Sequence, residues 1–112
     1  YQDLGHSLGY TGVLDPLLPA GGNAIEAYKA LAENGELKIR IRGAYKTDPS
    51  KDFGPQLEAF KAAQKKDNTG DLFQMTSIQF FMDGVIEGAT AYLTDPYAAG
   101  ANKGSDYRSE PL

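Results

Sequence analysis

The sequence predicts an α/β chain built as a three-stranded parallel βαβαβ unit. Three observations predict it. The run Leu37-Lys38-Ile39-Arg40-Ile41-Arg42 alternates strictly between apolar and cationic residues, the period of a strand. β-prone runs also lie on either side of it. Between the three runs stand two stretches with apolar residues at helical spacing, each with its own start and stop signals. Strands that alternate with helices of this length imply parallel pairing through crossover connections.

The first strand is Tyr10-Thr11-Gly12-Val13-Leu14, expected to stop at Asp15-Pro16. Leu17, Leu18, Pro19 and Gly21-Gly22 then read as a loop. The first helix has Asn23 as its cap, with Glu26 completing a capping box, and Ile25, Tyr28, Leu31 and Ala32 on one face. Asn34-Gly35 supplies a left-handed stop. The second strand follows with Leu37, Ile39 and Ile41 on one side, extended by Gly43-Ala44-Tyr45. After a loop over residues 47–54, Pro55 suits the first turn of the second helix. Leu57, Phe60 and Ala63 share its buried face, Lys61, Lys65 and Lys66 its wet one, and Asp67-Asn68-Thr69-Gly70 ends it. The third strand runs from Met75 to Met82 and stops at Asp83-Gly84, with an apolar character after Ile78 that suggests burial on both faces. From Val85 onward the chain reads as a long loop with a helical turn near Ala89 to Leu93 and an irregular tail from about residue 94.

Composition excludes several classes of function. A net charge of −4, with scattered cations, argues against a nucleic-acid partner. Without cysteine there is no disulfide and no thiolate metal site, and His6 is the only histidine, so the chain alone cannot build a His-rich metal site. No run approaches the roughly 20 apolar residues of a membrane span. The opening Tyr1-Gln2-Asp3-Leu4-Gly5 lacks the pattern of a signal peptide, and it reads as the interior of a longer chain, so all 112 residues are expected to form one fragment of a larger domain.

Three parallel strands fit a small open sheet or an arc of a (β/α)8 barrel. In an arc, Ile39, Ile41, Ile78, Phe80 and Met82 face the helices. Arg40, Arg42, Gln79, Phe81 and Asp83 face inward, with Asp83 at the carboxyl end of its strand, where barrel enzymes keep their chemistry. Asp83 is then a candidate acid–base carboxylate, although Asp-Gly is also a common turn pair. Glu87 is a second candidate, or a solvated loop acid. Gln79 is a pocket hydrogen-bonding group or a satisfied core amide. Arg40 and Arg42 suit an anionic substrate, or an edge strand kept from aggregating. Tyr92 and Tyr97 line a pocket mouth or simply pack. His6 alone is weak ground for a metal.

The segment Ser77-Ile78-Gln79-Phe80-Phe81-Met82-Asp83-Gly84-Val85-Ile86-Glu87-Gly88-Ala89-Thr90-Ala91-Tyr92-Leu93, followed by Asp95-Pro96-Tyr97, resembles the signature of the amidohydrolase 3 family. Residues 9–15 and 37–43 resemble two further strand steps of that family. The resemblance implies a TIM-type barrel and a metal-dependent hydrolase of C–N bonds, such as amides or formamides. N-substituted formamide deformylases and exoenzyme regulatory proteins are the members it points to. It strengthens Asp83 and Glu87 as catalytic candidates and sets Gln79 at a family site position, while Arg42 and Tyr92 join Gln79 as substrate-binding candidates from their places on the strand and at the pocket mouth. It implies a divalent metal, zinc first, in a full-length parent acting on a small molecule, with no metal ligand in this piece. The family's His-x-His motif is absent, and Gln79 stands where the family has lysine. The piece alone is therefore expected to be inactive and to self-associate through its open strand edges. The alternative is a non-catalytic regulatory or ligand-binding domain on a decayed hydrolase scaffold.

Overall fold

A computed structural model describes residues 1–81 and 83–97. The chain divides into two compact units, Tyr1–Gln79 and Phe80–Leu112. In the first unit the elements run α1 (Gln2–Ser7), β1 (Gly12–Leu18), α2 (Asn23–Glu33), β2 (Arg40–Lys46), α3 (Phe53–Asp67) and β3 (Phe73–Gln79). The strands lie side by side in the order β1-β2-β3, and both pairings are parallel. The chain is thus α/β with a three-stranded parallel sheet, as the alternation of strand and helix patterns predicts.

One core joins the sheet to both crossover helices. Ile25 of α2 and Phe60 of α3 pack with Leu18, Ile41, Tyr45, Phe73 and Met75 of the strands and with Leu37 and Ile39. Ile25, Ile39, Ile41 and Met75 are fully buried, each worth about 1.5–3 kcal/mol of removal from water. Tyr45 stacks on Phe60 with ring centroids 5.0 Å apart, and Tyr28 on Phe73 at 5.2 Å. Central β2 carries the longest buried run, from Gly43 to Tyr45. Gly43 has no side chain because Met75 Sδ and Leu18 Cδ1 already occupy the space a Cβ would need.

Several element ends differ from the sequence reading, each for a local reason. β1 continues through Asp15-Pro16 instead of stopping there. Its pairing jumps from Asp15↔Gly43 to Leu18↔Tyr45, a bulge. Pro16 falls inside that bulge on an edge strand, where its missing N–H costs no ladder bond. β2 begins at Arg40, not Leu37, although Leu37 and Ile39 are buried as expected. β3 spans Phe73–Gln79 and is not buried on both faces: Phe73 and Met75 are buried, whereas Thr76 and Ser77 are exposed. The crossover helices pack on the face that carries Phe73 and Met75, and that is the face that is covered. Phe80 and Phe81 lie beyond its end, and Met82 lies outside the described residues.

The capping box at Asn23 and Glu26 does not form. Gly22, extended at φ −76° and ψ 153°, is the cap, and no side-chain cap bond is made. A tight turn explains this: Gly22 N–H donates to Pro19 O at 2.9 Å, and Gly21 takes φ 69°. The helix therefore starts one residue earlier than the side-chain signal implies. Its end follows expectation. Gly35 takes φ 71°, Gly35 N–H donates to Ala32 O and Glu36 N–H to Leu31 O, a Schellman closure.

α1 has no counterpart in the sequence reading. It is anchored by Gln2, whose Nε2 donates to Glu36 O at 3.1 Å and whose Oε1 accepts Lys38 N–H at 2.6 Å. A six-residue helix held by one distant amide leaves no local pattern.

In the second unit the described chain is irregular. Residues 86–89 form a turn, with Ala89 at φ 52°, and the helical turn expected near Ala89 to Leu93 is not formed. The expected tail falls partly at residues 98–112, outside the described residues. Among the described residues no helix is long and apolar enough to cross a membrane.

Candidate functional site

Parallel α/β sheets bind ligands at the carboxyl ends of their strands, where the loops and helix starts converge. At that end of this sheet β2 and β3 are tied together. Thr47 donates twice to the Gln79 carbonyl, from its N–H at 3.1 Å and its Oγ1 at 2.9 Å. Lys46 and Gln79 are register partners, so their side chains emerge on the same face of the sheet.

The loop that follows is stiffened by two residues. Asp48 accepts from Ser50 Oγ at 2.6 Å and from Ser50 N–H at 3.1 Å, and pairs with Lys51 Nζ at 2.9 Å. The Ser50 hydroxyl, then the Lys51 ammonium, hold the Asp48 carboxyl down to about 2. Gln56, from the first turns of α3, reaches back. Its Nε2 donates to the carbonyls of Asp48, Lys51 and Asp52, and its Oε1 accepts Asp48 N–H at 2.8 Å. Sequence reading passed over Lys46, Thr47 and Gln56; strand pairing brings the first two beside Gln79, and Gln56 reaches the same loop through Asp48.

The sequence-predicted residues fall in different settings. Gln79 is at the carboxyl end, half-buried. Arg42 is not beside it. Arg42 pairs in register with Gln74, four residues upstream of Lys46 on the same strand, about 13 Å along it. Its Nη1 donates to Ile41 O at 3.1 Å and Asp71 O at 3.0 Å, so the guanidinium ties the entry of β3 to β2.

Asp83, Glu87 and Tyr92 belong to the second unit. Asp83 is half-buried, and its Oδ2 accepts Tyr92 N–H at 2.9 Å. That bond spans a loop closed by Gly84 N–H on Thr90 O at 3.0 Å and by Val85 N–H on Thr90 Oγ1 at 2.9 Å. Gly84 is required there, because Thr90 fills the position of any Cβ. Glu87 is exposed on the turn, as is the Tyr92 side chain. Tyr97 is buried, with its hydroxyl donating to Ala91 O at 2.8 Å.

The remaining chemistry-bearing groups are structural in their settings. Lys29 and Asp67 are 9% and 3% exposed. Lys29 Nζ lies 3.6 Å from Asp67 Oδ1 and 3.4 Å from Glu26 Oε1, and Tyr45 Oη donates to Asp67 Oδ2 at 2.8 Å. Burial, then the Asp67 carboxylate, raise the Tyr45 phenol above its ordinary range. The spacing Ile25 to Lys29 placed the lysine on the apolar face of α2, a signal the sequence reading did not use. A cleft of about 290 Å³ opens between α3 and β3, lined by Tyr45, Leu57, Phe60, Gln64, Thr76 and Ile78 among others.

His6 is exposed on α1. Among the described residues no three His, Cys, Asp or Glu side chains gather to hold an ion. Comparison with family models, with curated proteins and with solved structures finds no match for this chain.

Proposed function

We propose that the chain is an arc of a (β/α)8 barrel from a hydrolase of amide- or formamide-like C–N bonds, and that it supplies substrate-side groups and no metal ligand. The observation that supports this reading is the parallel sheet with both crossover helices on one face and Lys46, Thr47 and Gln79 assembled at its carboxyl end. In this reading α2 and α3 belong to the outer ring, and the opposite face of the strands, with Arg42 and Lys46, turns inward. Gln79 and Tyr92 are its substrate-binding candidates, and Arg42 meets only a group that reaches far down the strand. Asp83 and Glu87 are its acid–base candidates. Hydrolysis needs one group to take a proton from water and one to return a proton to the leaving nitrogen, and carboxylates in unlike settings divide such work. Half-buried Asp83 and exposed Glu87 stand in unlike settings.

A second reading is a non-catalytic regulatory or ligand-binding domain on the same scaffold. Two observations favour it: Gln79 replaces the lysine of the resembled family, and one oxygen of Asp83 is committed to Tyr92 N–H. Steady-state assays of the full-length protein against a panel of N-formyl and N-acyl amides separate the two. Turnover that falls 100-fold or more in Asp83→Asn supports the hydrolase. A full-length protein that turns over none of the panel, but gains turnover in Gln79→Lys, supports the decayed scaffold.

A further inference from the structure

β3 is an outer strand, and the phase of its hydrogen bonds can be read from one contact. Ile41 N–H donates to Leu72 O at 2.7 Å, so Leu72 and Gln74 turn their peptide groups toward β2, and Met75 turns its own away. On that outer side Asn68 stands in for a neighbouring strand. Its Oδ1 accepts Met75 N–H at 2.7 Å, and its Nδ2 donates to Met75 O at 3.1 Å. A carboxamide presents the same donor–acceptor pair as a peptide group. Gln64, one helical turn earlier, adds a second donor to Met75 O at 2.8 Å. Asn68 is itself fixed, as the residue that ends α3, by its N–H on Gln64 O at 3.0 Å. At the other edge of the sheet, Pro16 lacks an N–H and Leu17 N–H turns to Asp15 Oδ1 at 3.4 Å.

We propose that Asn68 and Gln64 form an edge clamp that ends the sheet at Met75. While it is closed, no strand, whether from a second copy or from a longer chain, pairs with the amino-terminal half of β3. Open edges in a parallel sheet invite added strands, and proteins block them with local devices. With Met75 N–H donating once and Met75 O accepting twice, the residue has nothing left to offer an incoming strand. The self-association expected from open edges therefore finds no free groups at Met75. A ring neighbour, in the hydrolase reading, is confined to the part of β3 beyond Met75. The clamp does not depend on that reading.

Amide hydrogen exchange on the full chain tests it. The Met75 amide of the unmodified protein exchanges slowly, and Asn68→Ala speeds it tenfold or more while the Ile41 amide, inside the sheet, is unaffected. Asn68→Asp keeps the Oδ acceptor and keeps Met75 slow. If Asn68→Ala does not fold, the unmodified protein and Asn68→Asp still decide. A Met75 amide exchanging at the rate of unstructured chain in the unmodified protein overturns the proposal, as does unchanged Met75 protection in a folded Asn68→Ala.

Discussion

Lys29 Nζ lies 3.6 Å from Asp67 Oδ1 in the core, with side chains 11% and 4% exposed. The pair links α2 to α3 behind the sheet, and Tyr45 of β2 joins it through Asp67 Oδ2. Removing one member leaves the other charge buried. Asp67→Ala is therefore expected to cost about 3–5 kcal/mol of folding stability. Lys29→Met combined with Asp67→Leu is expected to cost clearly less than the sum of the two single changes, because no charge is then stranded. Urea denaturation of the unmodified protein, Asp67→Ala, Lys29→Met, Asp67→Leu and the double variant measures both. Additive losses would show that the two charges are not coupled.

The two stacked tyrosines make the fold sensitive to alkali. Burial, followed by the hydrogen bond to Asp15, pushes the Tyr28 phenol up to about 12. Tyr45 moves the same way. A raised folded value means that the folded state prefers the neutral phenol. Its contribution is intact below the ordinary phenol value near 10 and is lost as pH climbs toward about 12. The urea midpoint should hold between pH 7 and 9 and fall steadily above about 10. Tyr28→Phe should flatten part of that fall. An unchanged slope in the variant would contradict the assignment.

Asp48 responds at the other extreme. Its carboxyl, held down to about 2 by Ser50 and Lys51, stays ionised well below the ordinary carboxylate range. The loop it organises is intact above the ordinary value near 4 and loosens only as pH drops toward about 2. The Ser50 amide shift, followed by NMR through an acid titration, should report that low midpoint, and a midpoint near 4 would argue against the latch.

Gly43 and Gly84 are fixed by what lies over them. A Cβ at Gly43 runs into Met75 Sδ and Leu18 Cδ1, so Gly43→Ala is expected to cost about 1–3 kcal/mol. Met75→Ala in the same chain should relieve part of that strain while adding its own cavity cost. A Cβ at Gly84 runs into Thr90, so Gly84→Ala should remove exchange protection from the Gly84, Thr90 and Ala91 amides. Both are checked by denaturation and hydrogen exchange, and a neutral effect in either would mean the neighbours move aside.

What was legible in the sequence was what repeats along it. The alternation around Ile39 and Ile41, the apolar faces of α2 and α3, and the Asn34-Gly35 stop are local patterns, and the parallel sheet follows from their order. Features set by distant partners left no such trace. α1 exists because Gln2 finds Glu36 and Lys38. β1 passes through Pro16 because it lies at an edge and bulges there. β3 is half-exposed because the crossover helices cover one face of the sheet. The candidate site was legible in the same uneven way. Gln79 was found by its place on a strand, whereas Lys46 and Thr47 become its neighbours only through register. Arg42 was assigned by face alone, and its position along β2 separates it from Gln79. Lys29 was marked by its spacing to Ile25, whereas Asp67 looks like a solvated helix-end charge until α2 and α3 are packed together.

An experimental structure of the full-length protein tests the barrel-arc reading most directly. That reading predicts a parallel strand paired with β1 on its outer edge, another paired with β3 beyond Met75, and Arg42, Lys46 and Gln79 facing the interior of the closed ring. A sheet that ends at β1 and β3, or an antiparallel strand at either edge, would contradict it.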